Sequence, residues 1–189
     1  MEHEYYPWGG DFTVCSQRAC VAVVLLQIEY TPPSRVAIYG PLKTENIGIE
    51  KIAANVISNP HIRYLIVCGD DIRGHRSGSS LVALHKNGID EQHKIIDAPG
   101  AIPYIENLKH EAIERFREQV EVVDMIGVTD KTKITTVIDS YIRKSPPSFG
   151  EPYIAIRIKP VARIQLDDKR ALHSKIVMDY LGKVKRRGQ

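Results

Sequence analysis

An α/β domain is the expectation, and three observations predict it: short apolar runs of strand length, capped helical stretches between them, and glycine-rich loops directly after strands. Arg35-Val36-Ala37-Ile38-Tyr39 reads as a strand and Gly40 to Glu45 as the loop that follows. Residues 46–58 read as a helix, because Ile47, Ile49, Ile52, Ala53 and Val56 recur at helical spacing until Asn59-Pro60 stops them. The unit then repeats. Tyr64-Leu65-Ile66-Val67-Cys68 is a buried strand, Gly69 to Gly78 a glycine-rich loop, and about Ser79 to Lys86 a helix that Asn87-Gly88 closes as a carboxy-terminal cap. Alternating strands and helices imply βαβ units with right-handed crossovers. The expected architecture is therefore a Rossmann-like sheet, mostly parallel, with helices on both faces.

The other elements are less sharply marked. The apolar run 19–28 fits helix or strand, and periodicity does not separate the two. Before it, Pro7, Trp8, Gly9 and Gly10 give a turn-rich amino-terminal segment, 1–18, in which Trp8 either packs the segment down or covers a ligand. Asp97 to Pro103 is a third loop suited to close backbone approach. Residues 104–118 read as an amphipathic helix, 120–125 as a strand and 130–144 as a helix. Lys144 to Gly150 is a proline-rich linker, followed by a strand over 153–158 and a helix over about 168–181. All of this is expected within one domain spanning 1–189.

Composition removes several function classes. The net charge is only +3, and part of it sits in Lys183-Val184-Lys185-Arg186-Arg187, so a nucleic-acid-binding face is not expected. That basic stretch reads as a solvated end. Cys15, Cys20 and Cys68 are an odd number without CxxC spacing, which argues against a disulfide framework or a zinc site and fits a reducing cytoplasm. The apolar run Ala19 to Leu26 is far short of the about twenty residues a membrane helix needs. Neither a transmembrane segment nor a signal peptide is expected.

In open α/β sheets ligands bind at the carboxyl ends of the strands, which directs attention to the loops after residues 39 and 68. The second of these, Gly69-Asp70-Asp71-Ile72-Arg73-Gly74-His75-Arg76-Ser77-Gly78-Ser79-Ser80, supports three readings. Gly69 and Gly74 have the spacing of a phosphate-binding loop, but His75 and Arg76 stand where its lysine and its magnesium-binding hydroxyl belong. His75 is alternatively a solvated surface histidine. In the third reading it is a metal ligand, a neutral imidazole whose second nitrogen donates to an orienting carboxylate or carbonyl. His61, His85, His93, His110 and His173 show no metal spacing and are expected to be solvated, and Cys68 to be a core residue.

Longer stretches carry a resemblance. Gly40 to Lys51, Asn59 to Gly69, the Gly74-His75 pair with Gly78, and Gly100-Ala101-Ile102-Pro103-Tyr104-Ile105-Glu106-Asn107 resemble the A subunit of the tetrahydromethanopterin S-methyltransferase of methanogenic archaea. The resemblance covers roughly residues 36 to 126. It implies a cobalamin or related corrinoid as cofactor and a role as methyl carrier, relaying a methyl group from methyl-tetrahydromethanopterin to coenzyme M in methanogenesis. It also implies methyltransferase partner subunits. The histidine of the Gly-His pair is the lower axial cobalt ligand in that family, which carries over to His75. Gly40, Pro41, Thr44, Glu45, Asn46, Gly69, Gly74, Ser77, Gly78, Ser80, Gly100, Ala101 and Ile102 are expected to line the cofactor.

Two departures qualify the resemblance. Other B12 proteins carry D-x-H-x-x-G, whereas this chain keeps His75-x-x-Gly78 with Arg73 at the aspartate position, and an arginine cannot accept a hydrogen bond. Glu45 is the first candidate to orient His75, with Asp70 and Asp71 as alternatives; otherwise Glu45 is a first-turn acid serving the helix amino terminus. Family members usually have glutamine at Ser79 and end in a membrane helix, so the chain is expected to be a cytoplasmic homologue whose methyl donor and acceptor stay open. A corrinoid storage or delivery protein and a nucleotide-binding domain are the alternatives.

Overall fold

The computed structural model describes residues 5–157 in full, together with the backbone of 170–172, 176–179 and 184–186. The chain divides into two compact units, Met1–Ile158 and Lys159–Gln189, where the sequence reading takes 1–189 as one domain. In chain order the larger unit contains β1 (Thr13–Val14), β2 (Val21–Leu25), β3 (Ile38–Pro41), α1 (Ile47–Ser58), β4 (Tyr64–Gly69), α2 (Ser77–Asn87), α3 (His110–Gln119), β5 (Glu121–Ile126) and α4 (Lys131–Lys144). The sheet runs β1-β3-β2-β4-β5, parallel throughout except for β1, which pairs antiparallel with β3.

Burial explains why the undecided apolar run is a strand. All five residues of β2 are buried. Ala22 and Val24 join the core under α1, α2 and α3, while Val21, Val23 and Leu25 join a second core with Ile134 and Ile138 of α4. A central parallel strand covered on both faces must be apolar at every position, so it shows no alternation. In β4 the same division puts Leu65 and Val67 on one side and Ile66 and Cys68 on the other. The α/β sheet with helices on both faces is thus observed.

Several boundaries differ from the sequence expectation. The β3 ladder begins at Ile38 and continues through Gly40 and Pro41, which pair with Val24 and Leu25. Proline is tolerated there because β1 pairs only with Ile38 and Tyr39, which leaves β3 an edge on that side at Pro41. Helix α2 begins at Ser77 rather than Ser79, because its cap comes from outside the helix: the Asp71 carboxylate accepts from the Gly78 and Ser79 amides at 3.0 and 2.8 Å. Helix α3 begins only at His110. Its expected first turn is held non-helical by the buried Glu50 carboxylate, which takes the amides of Glu106 and Asn107 at 3.1 and 2.7 Å.

The carboxy-terminal expectations are corrected more strongly. Residues 152–157 form no strand. Tyr153 donates its amide to the Ile57 carbonyl at the end of α1, and Tyr153, Ala155 and Ile156 pack on the core, so this stretch lies against a helix and not along a sheet edge. The helix expected over about 168–181 is replaced by strands β6 (Arg170–Leu172), β7 (Ile176–Asp179) and β8 (Val184–Arg186) in an antiparallel sheet of order β6-β7-β8. Ala171 opposite Met178 and Leu172 opposite Val177 show the register. The adjacent β-branched Ile176 and Val177 favour the extended form, and pairing on both sides supplies the hydrogen bonds. Part of the basic stretch read as a solvated end is strand β8. Among the described residues no helix is long and apolar enough to cross a membrane.

The proline-rich linker is fixed to the larger unit. Phe149 lies between two guanidinium groups, Arg63 at 5.2 Å and Arg115 at 4.6 Å from its ring centre, and Arg115 also donates to the carbonyls of Phe149 and Glu151. Two substitutions test this account. Glu50→Ala leaves three donors of residues 106 and 107 without their acceptor and is expected to cost about 2 kcal/mol in urea unfolding. Phe116→Ala removes a fully buried ring and is expected to cost about 3–5 kcal/mol in the same measurement.

Candidate functional site

The loops after β3 and β4 and the 97–103 loop meet at the carboxyl edge of the sheet. Glu45 lies just before α1 and is 4% exposed. Its Oε1 accepts the Ile102 amide at 2.7 Å. Its Oε2 is 3.5 Å from Nδ1 of His75, whose side chain is 65% exposed. Nδ1 facing the carboxylate leaves Nε2 as the unengaged nitrogen of an open ring. Glu45 does not serve the amino terminus of α1, since Asn46 does that through Oδ1, which accepts the Ile47 amide at 2.7 Å. Of the three carboxylates considered, Asp71 is committed to capping α2, and Asp70 joins Gln27 through its backbone carbonyl. Only Glu45 is placed beside His75.

Gly100 sits where these loops crowd together. A Cβ there would lie 2.7 Å from the His75 carbonyl, 2.7 Å from Ser80 Oγ and 3.0 Å from Glu45 Oε2. Real Cβ atoms do not approach that closely, so the absence of a side chain lets the third loop pass over the other two. Among the described residues three buried side-chain polar atoms have no hydrogen-bond partner: Glu45 Oε2, Ser77 Oγ and Ser80 Oγ. An unsatisfied buried polar atom is uncommon and costs about 1–3 kcal/mol, which marks this edge as a place built for something besides stability. The structure thus brings Glu45, His75, Ser80, Gly100 and Ile102 together. Ser77 opens α2 directly after the loop, Ala101 and Ile102 are exposed beside it, and Gly74, with φ of 90°, turns the chain just before His75.

Other expected site residues have structural tasks or face elsewhere. Gly69 closes β4 against Ile28, and Gly78 packs on Leu26 within α2. Gly40, Pro41 and Thr44 line a separate cavity of about 280 Å³ between β3, α1 and the amino-terminal segment. Trp8 packs: it is buried, and its amide and carbonyl are both bound by the Asn55 side chain. Phe12, Lys43, Ile47 and Lys51 also line that cavity and were missed by the sequence reading. The only signal was their closeness to Gly40 and Thr44, since their cationic and apolar side chains otherwise look like ordinary surface and helix positions.

Among the described residues the remaining histidines and cysteines form no centre of three or more ligands, and His173 lies outside the described residues. His85 is not solvated as expected; its Nε2 lies 2.7 Å from the Val120 carbonyl and its ring packs edge-on against Phe116. His93 Nδ1 likewise contacts the Ile105 carbonyl at 2.9 Å. Cys68 is fully buried, as expected of a core residue, and burial pushes its thiol up to about 11. Among the described residues no three His, Cys, Asp or Glu side chains are grouped to hold a metal ion by themselves.

Comparison with known proteins agrees with the resemblance seen in the sequence. The family model for the A subunit of tetrahydromethanopterin S-methyltransferase matches residues 2–165. The chain is 47% identical over 154 residues to the A 1 subunit of the tetrahydromethanopterin S-methyltransferase of Methanothermobacter thermautotrophicus, covering 79% of this chain and 65% of that relative. To the A 2 subunit from the same organism it is 45% identical over 158 residues, covering 82% of this chain and 86% of the relative. To the A subunit of the putative methyltransferase Mtx of Methanosarcina barkeri it is 43% identical over 150 residues, covering 79% and 76%. The chain therefore spans slightly less than two thirds of one of these relatives and most of the other two. With its sheet, its loops and most of its length matched in this way, the chain belongs to the family of tetrahydromethanopterin S-methyltransferase A subunits.

Proposed function

We propose that this chain is a corrinoid-binding methyl carrier acting with methyltransferase partner subunits, in which His75 is the lower axial ligand to cobalt. The observation that carries the reading is the buried Glu45 carboxylate 3.5 Å from Nδ1 of an exposed histidine. A histidine that ligates a metal almost always directs its other ring nitrogen to a carboxylate, carbonyl or water, which fixes the tautomer and strengthens the donor. A corrinoid would bring its cobalt already held by the ring, so that the chain would have to supply no more than one imidazole, that of His75. His75, which belongs to no group of three metal-ligating side chains among the described residues, therefore suits this group and would not suit a free zinc ion.

The side chains beside His75 support the same reading. Exposed Ile102 offers an apolar side chain beside the ligand, and the Glu45 bond to its amide fixes where it stands. The Ser80 hydroxyl, buried and unpartnered, lies beside Gly100 as Glu45 Oε2 does, under the loop that carries Ile102. When bound, the corrinoid supplies the metal that accepts a methyl group from a donor and gives it up to a thiolate. The chain's own part is narrower. On this reading Glu45 would take a hydrogen bond from Nδ1, His75 would present Nε2, and Gly100 lets the three loops come close enough for both. The relatives' names supply the reaction class, and the donor and acceptor of methyl for this chain follow as part of the proposal.

The reading predicts that cobalamin added to the wild-type protein gives a visible spectrum with a histidine nitrogen on cobalt, and that His75→Ala loses that signature. Absence of cobalamin binding by the wild type would refute it. Glu45→Gln is expected to keep the ligand and weaken cobalamin binding about 10–100-fold, as supporting-residue changes do. Equilibrium titration followed by absorbance measures this. Failure of the bound corrinoid to take up methyl from any partner transferase would assign storage or delivery instead.

A further inference from the structure

The fold brings together two histidines that show no metal spacing in the sequence. His93 lies on the segment between α2 and α3, His110 is the first residue of α3, and their ring centres are 5.4 Å apart with the planes at 66°. His93 is half-buried, and its backbone is tied on both sides. Its amide donates to the Asp90 carbonyl at 3.0 Å, and its carbonyl accepts the Ile105 amide at 2.9 Å. The φ of 62° puts it in the left-handed region, which is uncommon for a residue other than glycine and recurs at functional sites. The ring is fixed as well. A carbonyl can only accept, so the 2.9 Å contact between Nδ1 and the Ile105 carbonyl puts the proton on Nδ1 and the lone pair on Nε2. A histidine that ligates a metal stands in this state, with its other nitrogen donating to a backbone carbonyl.

The ring separation fits a shared ion. With metal–nitrogen bonds of about 2.1 Å, each ring centre lies about 3.2 Å from the ion, and a tetrahedral angle of about 109° sets the two centres about 5.2 Å apart. We propose that His93 and His110 together bind a divalent transition-metal ion of the zinc class. Among the described residues no third His, Cys, Asp or Glu side chain completes the group, so water fills the remaining positions and the ion is exchangeable. His110 is exposed, and at the amino terminus of α3 the helix dipole favours the neutral imidazole that ligation needs. The same dipole opposes the bound cation. Of the exposed chain neighbours, Lys94 and Lys109 also oppose it and Glu111 favours it, so the affinity rests on the two imidazoles. An ion held here joins α3 to the segment that continues into the 97–103 loop. The site uses none of the residues assigned to the corrinoid, so the inference stands or falls without that reading.

The experiment titrates zinc chloride into the full chain, stripped of metal by a chelator and free of corrinoid, with calorimetry as the readout. Wild type is expected to bind one equivalent with a Kd on the order of 10 μM. Saturating zinc is expected to raise the Tm and to slow amide exchange over 93–105. His93→Asn keeps a residue that tolerates the left-handed backbone, and His110→Ala suits an exposed helix position. Each is expected to weaken zinc binding about ten-fold or more. His75→Ala is expected to leave it unchanged, and so is Cys15→Ser combined with Cys20→Ser. Thermal unfolding without zinc checks that each variant is folded. The imidazole NMR signals of His93 and His110 in the wild type, which zinc shifts directly only when it binds there, decide the matter should a variant fail to fold. Zinc binding that both histidine variants retain, or none by wild type at about 1 mM, would overturn the inference and leave the two rings as an edge-to-face pair. Loss of binding in His75→Ala alone would place the ion at the other edge and overturn it equally.

Discussion

Two carboxylates at the start of α1 decide how the rest of the site is arranged. Glu45 and Glu50 are both buried, and both direct oxygens to backbone amides of one long segment: Ile102 for Glu45, and Glu106 and Asn107 for Glu50. Burying an ionised carboxylate is costly unless hydrogen bonds replace its water. The 97–109 segment supplies those bonds and gains the acceptors its non-helical amides need. Glu50 is satisfied on both oxygens, with a third bond from the Asn107 side chain. Glu45 is satisfied on one oxygen only, and its second oxygen faces His75 without a hydrogen bond. That imbalance separates a structural carboxylate from one held for another purpose.

The sheet makes this arrangement possible by bringing distant loops to one edge. Parallel pairing of β3, β2 and β4 puts the carboxyl ends of β3 and β4 on the same side, although residues 41 and 69 are far apart in sequence. Cores on both faces fix the strands against sliding, since a one-residue slip would exchange the sets that face α4 and α1. The linker after α4 is tied at Arg63 and Arg115, beside the starts of β4 and β5, and so away from the carboxyl edge. Structural contacts and unpartnered groups are thus separated along the strand direction.

Membership in a methyltransferase family and the geometry at His75 support one another through different kinds of reasoning. The family comes from matched sequence, and relatives are named by what they do. The geometry concerns only where a proton, a nitrogen and a buried carboxylate stand. Arg73 occupies the position at which the D-x-H-x-x-G motif has its aspartate, and Glu45 stands beside the histidine from a different loop. A single carboxylate can reach a ring from either loop provided the fold holds it there, because the ring needs an acceptor and is indifferent to the acceptor's position in sequence.

The sequence by itself determined the α/β class, the helix over 46–58, the strand at 64 and the cap at Gly88, because each depends on local pattern: apolar spacing or a cap residue. Glu45 could be named as a candidate from its place at the same sheet edge, but Asp70 and Asp71 were also admissible until their partners were known. Only the tertiary structure decided that Asp71 caps α2, that Gly100 must lack a side chain, that 104–109 is not helical, and that 170–172, 176–179 and 184–186 are strands. Each of those outcomes depends on a group brought from elsewhere along the chain, whether a carboxylate accepting an amide or a strand pairing with its neighbour. Such partners leave no periodic trace in sequence, since the free energy that selects them exists only once the chain has brought them together.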